Sequence, residues 1–158
     1  MSDINIVFTR VDNRLVHGQV GNVWVTASGA NLILVVDDET CNDELSKSLM
    51  KMTADAVGVQ IRFFSIKKTI EIIGKAAPSQ KIFIVAKTPQ VIEQLVDGGV
   101  PIKHCNIGNM HKSEEGKHIL HEVHVYVDDQ DEACLKRLKE KGVDVYIQIT
   151  PNDRKYKI

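Results

Sequence analysis

No charge of one sign dominates this sequence: 20 lysines and arginines stand against 21 aspartates and glutamates, a formal net charge of −1. That balance gives no electrostatic reason to expect nucleic acid or anionic lipid as a partner. No apolar run approaches the length of a bilayer span, and the N-terminus lacks the signal-peptide pattern. A membrane role is therefore expected only through partner proteins. Cysteine is sparse. Cys41, Cys105 and Cys134 are odd in number, far apart and form no C-x-x-C pair, which reads as free thiols in a reducing cytoplasm. Low-complexity tracts, linkers and internal repeats are also missing, so residues 1–158 read as one domain. With 43% apolar and 26% charged residues, a chain of this length can build one proper core.

What is there is an alternation of apolar runs and helical stripes. Residues 4–8, 31–36, 59–64 and 82–86 read as strands, the second of them apolar enough to be buried on both faces. Between them, Leu45, Leu49 and Met52 trace one helical stripe, with Thr40 and Asn42 offered as N-caps. Ile66, Ile70 and Ile73 follow Ser65 in a second helix, and Val91, Ile92 and Leu95 follow Pro89 in a third, stopped at Gly98-Gly99. Such an order predicts an α/β fold: a doubly wound, three-layer α/β/α arrangement on a mostly parallel sheet of about seven strands. After Pro101 the rhythm changes. Residues 104–107 and 122–127 are strand-like with no long helix between them, so the later run is expected to be antiparallel. A helix over 131–141, with Cys134, Leu135 and Leu138 inward, and a strand over 143–147 close the pattern, followed by a polar tail.

The chemistry concentrates in Arg10-Val-Asp-Asn-Arg-Leu-Val-His-Gly-Gln19, between the first strand and the helical spacing of Val20, Val23 and Trp24. This is a β-to-α connection, where ligand and phosphate sites lie in α/β sheets. A neutral histidine nitrogen is a competent nucleophile near neutral pH, and phosphoryl transfer needs little beyond positioning and positive charge. His17 is the candidate phosphoacceptor, and Arg10 and Arg14 are the candidate charges, planar forks matched to phosphate. Gly18 lets the backbone approach, and the N–H groups of Gly18, Gln19 and Val20 open the next helix as an anion seat. Asp12 would repel a phosphate, so it is assigned to holding an arginine or capping the loop. Asn13 reads as a turn residue.

The decapeptide meets every fixed position of Arg-x-Asp-x-Arg-Leu-x-His-Gly-Gln. It resembles the active-site loop of the IIB subunits of the mannose/fructose/sorbose family of the sugar phosphotransferase system (PTS), and the likeness runs through almost the whole chain. The resemblance implies a mixed sheet with one reversed strand. It also implies a histidine that takes phosphate on its δ nitrogen from phospho-IIA and passes it to a sugar held by the membrane subunits IIC and IID. This chain would then be a cytoplasmic phosphocarrier, a transferase attached to the inner face of the membrane through those partners. No cofactor is expected, because the incoming phosphate is already activated as a phosphoramidate. Gly108-Asn109-Met110-His111 resembles a loop of members serving amino sugars, a cue toward N-acetylgalactosamine or galactosamine, and is otherwise a docking surface. The alternative is a nucleotide- or sugar-phosphate-binding α/β enzyme that uses the Arg10–Gln19 loop as a phosphate clamp.

Two other features could carry chemistry. Asp37-Asp38 and Lys87-Thr88 at strand ends suggest a response-regulator receiver, but Phe64-Ser65 stands where its acceptor aspartate would be. Asp38 and Thr88 are placed instead as candidate neighbours of the His17 loop. His111, His118, His121 and His124 lie close together, yet no cysteine or carboxylate stands at structural-zinc spacing beside them. They read as a polar hairpin, and no metal is assigned.

Overall fold

Alternation along the strands sorts the apolar side chains into two cores, one on each face of a single sheet. The computed structural model describes residues 4–18, 20–111 and 117–158. The main sheet holds β1 (Asn5–Asp12), β2 (Leu32–Val36), β3 (Gln60–Phe64), β4 (Lys81–Ala86), β5 (His104–Asn109), β8 (Asp144–Ile147) and β9 (Tyr156–Lys157). Their order is β3-β2-β4-β1-β5-β8-β9, with β9 alone antiparallel to its neighbour. A separate antiparallel hairpin is formed by β6 (His118–Leu120) and β7 (Glu122–Val127).

One face carries Leu32, Leu34, Ile82, Ile84 and Ile107 against α4 (Pro89–Asp97) and α5 (Asp129–Glu140), with α3 (Ile66–Ile72) at their side. The opposite face carries Phe8, Ile33, Val35, Phe83 and Val85 against α1 (Val25–Ser28) and α2 (Glu44–Ala56). The result is the three-layer, mostly parallel architecture the strand–helix rhythm implies.

Caps explain most helix boundaries. Ser65 accepts from Lys68 N at the start of α3 and Thr88 from Val91 N at the start of α4, with Pro89 in the first turn. Asp128 and Asp131 form a reciprocal capping box on α5. The cap of α2 is Asp43, which accepts from Ser46 N, not Thr40 or Asn42. Thr40 instead bonds Asp37 Oδ2 through both its N–H and its hydroxyl.

Two features differ from the sequence reading. The reversed strand of the main sheet is β9, from the polar tail, and not residues 122–127, whose β7 pairs with β6 and lies along the end of β5, joined by a parallel bridge from Val125 to Met110 just beyond it. β6, separated from β7 only by His121, pairs with that backbone locally, leaving the edge of β8 to the tail. The second difference is on α2. Leu45, Leu49 and Met52 do share one stripe, but it faces solvent, at 71%, 58% and 68% exposure, while Met50 and Ala54 fill the core. All three cysteines are free. Burial pushes the Cys105 thiol up and Cys134 to about 12, so neither is a thiolate nucleophile at neutral pH. No described helix is long and apolar enough to cross a membrane.

Candidate functional site

The chain leaves β1 toward β2 and leaves β5 toward β8, in opposite directions across the sheet. A crevice therefore opens at the carboxyl ends of β1 and β5, the place where open α/β sheets take ligands. The decapeptide supplies one wall, but its first three residues are strand, since β1 runs on to Asp12. This matters for geometry. Strand side chains repeat every two residues, so Arg10 and Asp12 share a face.

Arg10 does not project into solvent beside His17. It is 1% exposed and lies under the loop. Its Nη1 donates to Asn106 Oδ1 and to the carbonyl of Gln148 (3.1 Å), and its Nη2 to the carbonyl of Ile149 (3.2 Å). Nε and Nη2 each lie 3.4 Å from Asp12 Oδ2, and the guanidinium carbon stands 5.2 Å from the centre of the Trp24 ring. The strand pairing makes room for it. Between Val11↔Ile107 and Asp12↔Asn109 the register skips Gly108, and a Cβ at Gly108 would overlap the Arg10 guanidinium. Only glycine fits there. Burial lowers the Arg10 pKa and Asp12 opposes that shift; a guanidinium still remains charged at any physiological pH.

Asp12 is the hub. Its side chain is fully buried, Oδ1 accepts from Arg14 N (3.0 Å), and Oδ2 faces Nε2 of His17 at 3.1 Å. Burial by itself would raise the Asp12 carboxyl. The hydrogen bond from His17, the charge of Arg10 and the Arg14 N–H outweigh it and hold the carboxyl below its usual range. An ionised carboxylate only accepts, so the His17 proton belongs on Nε2 and the lone pair on Nδ1. Nδ1 has no hydrogen-bond partner among the described residues, and the side chain of His17 is 19% exposed. Asp12 therefore both caps the loop and orients the imidazole, the second of which the sequence reading lacked.

The loop between them is strained. Leu15 sits in the left-handed region at φ +57° while its side chain is buried against the core that includes Trp24. Its N–H donates to Asp12 O (2.9 Å), and Asn13 N–H reaches Asn109 O (3.2 Å), closing the turn onto β5. His17 O then accepts from Gly21 N (2.8 Å), opening a π-helical turn over Val20–Trp24 instead of a regular α-helix start. Gly21 presses on Thr53 of α2, where a Cβ would come within 2.6 Å. Gly18 is exposed at the start of this turn with open space around it, and Gln19 lies outside the described residues.

Arg14 is the cation left outside. Its side chain is 54% exposed and touches Asp12 only at 3.9 Å. With His17 it lines a cleft of about 650 Å³ whose other walls are Gly108, Asn109, His124, Ile149, Thr150 and Asp153. The Ile149 carbonyl that accepts from Arg10 also accepts from the Trp24 indole (3.0 Å), so one buried pair fixes the far wall. Asp38 and Thr88 do not line this cleft. Asp38 Oδ1 accepts from Ile66 N (2.8 Å) and Thr88 caps α4, while Asp37 pairs with Lys87 at 3.2 Å. Nor do the histidines of the hairpin gather in one place. His118 meets Glu132 of α5 at 3.1 Å, His121 stacks on Tyr156 at 5.3 Å, and His124 faces the His17 cleft. The place of His124 in the cleft, the fit of Gly108 against Arg10 and the left-handed, buried state of Leu15 are not legible in the local sequence, because the contacts that define them are long-range.

Taken together, an imidazole nitrogen, a carboxylate behind the opposite nitrogen and an exposed guanidinium at the rim make an arrangement suited to receiving and releasing a phosphoryl group. Known proteins bear on the same point. The family model for the PTS system sorbose subfamily IIB component matches residues 6–158. The N-acetylgalactosamine-specific phosphotransferase enzyme IIB component 1 of Escherichia coli K12 is 53% identical over the full chain and 99% of its own length. A crystal structure of the PTS system N-acetylgalactosamine-specific IIB component 1 from Escherichia coli superposes with a TM-score of 0.93 at 53% identity, covering 98% of this chain and 99% of that one. A PTS-dependent N-acetylgalactosamine IIB component from Streptococcus pyogenes does so with a TM-score of 0.90 at 39% identity, over 100% and 96%. With its whole length in register with these proteins, the chain belongs to the sorbose subfamily of PTS IIB components.

Proposed function

We infer that this chain is a phosphocarrier in which Nδ1 of His17 takes a phosphoryl group from phospho-IIA and passes it to a sugar during uptake. The observation that carries the reading is the Asp12 carboxylate 3.1 Å from Nε2, in a histidine that lines an open cleft beside Arg14. In the first step the donor's N–P bond breaks and an Nδ1–P bond forms. Nε2 keeps its proton, so the ring becomes an imidazolium, and the buried carboxylate is already in place to stabilise it. In the second step that cationic ring is a good leaving group: the Nδ1–P bond breaks, phosphorus bonds the 6-hydroxyl oxygen of the sugar, and the hydroxyl proton departs. Arg14 follows the equatorial oxygens through both steps.

The sugar would sit in the membrane subunits IIC and IID, with this chain cytoplasmic and peripheral to them. The relatives named for N-acetylgalactosamine favour that sugar or galactosamine as the acceptor. A cleft that opens at the surface, where a partner protein can reach His17, also favours the carrier over a phosphate-clamping enzyme, which would enclose its substrate. The test is labelling by phospho-IIA. His17→Ala is expected to abolish acid-labile phosphate uptake while the fold survives, and N-acetylgalactosamine presented with IIC and IID is expected to discharge the wild-type label. A His17→Ala protein that labels normally overturns the assignment.

A further inference from the structure

We propose that His124 is a second phosphoryl-contacting residue, its imidazole donating to an equatorial oxygen of the group carried on His17. This rests on the carrier reading above and adds a residue to that site. The argument begins with a shortage of positive charge. A phosphoryl group carries about two negative charges near neutral pH, and Arg10, one of the two arginines in the motif, is buried with its donors directed at Asn106, Gln148, Ile149 and Asp12. Asp12 lies behind His17, and Asp153 stands at the rim with Oδ2 accepting from Thr150 N (3.0 Å). Asp12 is already paired with Arg10, so among the described residues that line the cleft one guanidinium, that of Arg14, is left to meet this charge, with Asp153 in the same lining.

His124 brings a further hydrogen-bond donor to the same cleft. Val125 and Val127 of β7 are buried, so His124, one step out of phase with them, lies on the outward face and lines the same cleft as His17 and Arg14. Its backbone is fixed there: Met110 N donates to His124 O (2.9 Å), and Tyr126 N donates to Met110 O (3.1 Å), tying the strand to the end of β5 beside Gly108 and Asn109. The hairpin thereby brings His124 into the lining of the cleft that holds the nucleophile. Either ring nitrogen can carry a proton, so the residue donates to an anion whether neutral or charged.

The experiment uses two phosphoryl sources, phospho-IIA and the small molecule phosphoramidate, on wild type, His124→Ala, His124→Gln and His17→Ala. His124→Ala is expected to slow labelling from both sources by about 10- to 100-fold and to shift the ³¹P resonance of phospho-His17. His124→Gln, which keeps an N–H donor, is expected to recover part of the rate. Unchanged urea midpoints will show that the exposed substitution leaves the fold intact. Equal rates for wild type and His124→Ala overturn the proposal. So does a loss confined to phospho-IIA, which would make His124 a docking residue. Normal labelling of His17→Ala is a different failure, that of the carrier reading itself.

Discussion

Replacing Arg10 by alanine is expected to damage the fold, whereas the same change at Arg14 damages transfer. Arg10 is 1% exposed and faces a fully buried carboxylate. Its guanidinium makes three hydrogen bonds to the side chain of Asn106 and the carbonyls of Gln148 and Ile149. Truncation removes the buried guanidinium that neutralises Asp12 and leaves the carboxylate with only its bonds from His17 and the Arg14 N–H, which costs about 3–5 kcal/mol for a broken buried pair. The lost charge-assisted bonds overlap with that figure and are not added to it. Domains of this size are stable by only about 5–15 kcal/mol, so about a fifth of the total or more is at stake. With a urea slope of about 2 kcal/mol/M, the midpoint moves down by about 1.5–2.5 M. Trp24, the single tryptophan in the sequence, stacks on Phe8 at 4.7 Å and bonds Ile149 O, so its fluorescence reports this region directly. Arg14→Ala, at an exposed side chain, is expected to lose less than about 0.5 kcal/mol while labelling of His17 slows. If Arg10→Ala unfolds within about 1 kcal/mol of wild type, the buried-scaffold role assigned to this arginine is wrong.

The bulge glycine gives a second test: Gly108→Ala forces a methyl group into the Arg10 guanidinium and is expected to cost about 1–3 kcal/mol as overpacking, with neutral stability disproving the contact. At Leu15, φ is +57°, so the usual advantage of alanine over glycine vanishes; Leu15→Gly is expected to be at least as stable as Leu15→Ala in urea, and a clear preference for alanine would exclude the left-handed conformation. Between α4 and α5, Glu93 takes bidentate bonds from Arg137 (2.7 and 3.0 Å) and one from Lys141 (3.0 Å). The hydrogen bonds from Arg137 outweigh the upward effect of burial and, with Lys141, hold its carboxyl at about 2. Its contribution is then complete above an unfolded value of about 4.3 and fades as pH falls toward the folded value. After discounting for the exposed arginine, Glu93→Gln is expected to remove about 1–2 kcal/mol at neutral pH and to flatten the acid limb of the stability profile; an unchanged limb in a pH series of urea melts would show the clamp contributes nothing.

By itself the sequence determined the local order: where strands and helices fall, that Ser65 and Pro89 begin helices, and that His17 sits after a strand end with Arg10, Asp12 and Arg14 close by. Those features depend on periods of 2 and about 3.6 residues and on capping chemistry, all read over a few neighbours. Period two even places Arg10 and Asp12 on one face. What tertiary structure alone decided is which face meets what. Nothing local distinguishes the Leu45–Leu49–Met52 stripe, which faces solvent, from the line through Met50 and Ala54, which faces the core. The choice depends on where Gly21 and the sheet lie against α2. Likewise Arg10 is buried because residues nearly a hundred and more positions away, Asn106, Gly108, Gln148 and Ile149, converge on it once β1, β5 and β8 pair. The polar tail closes the sheet as β9 because β8 offers an open edge. Local periodicity specifies the elements; long-range packing chooses their partners, and with them the arginine that builds the site and the arginine left at its rim.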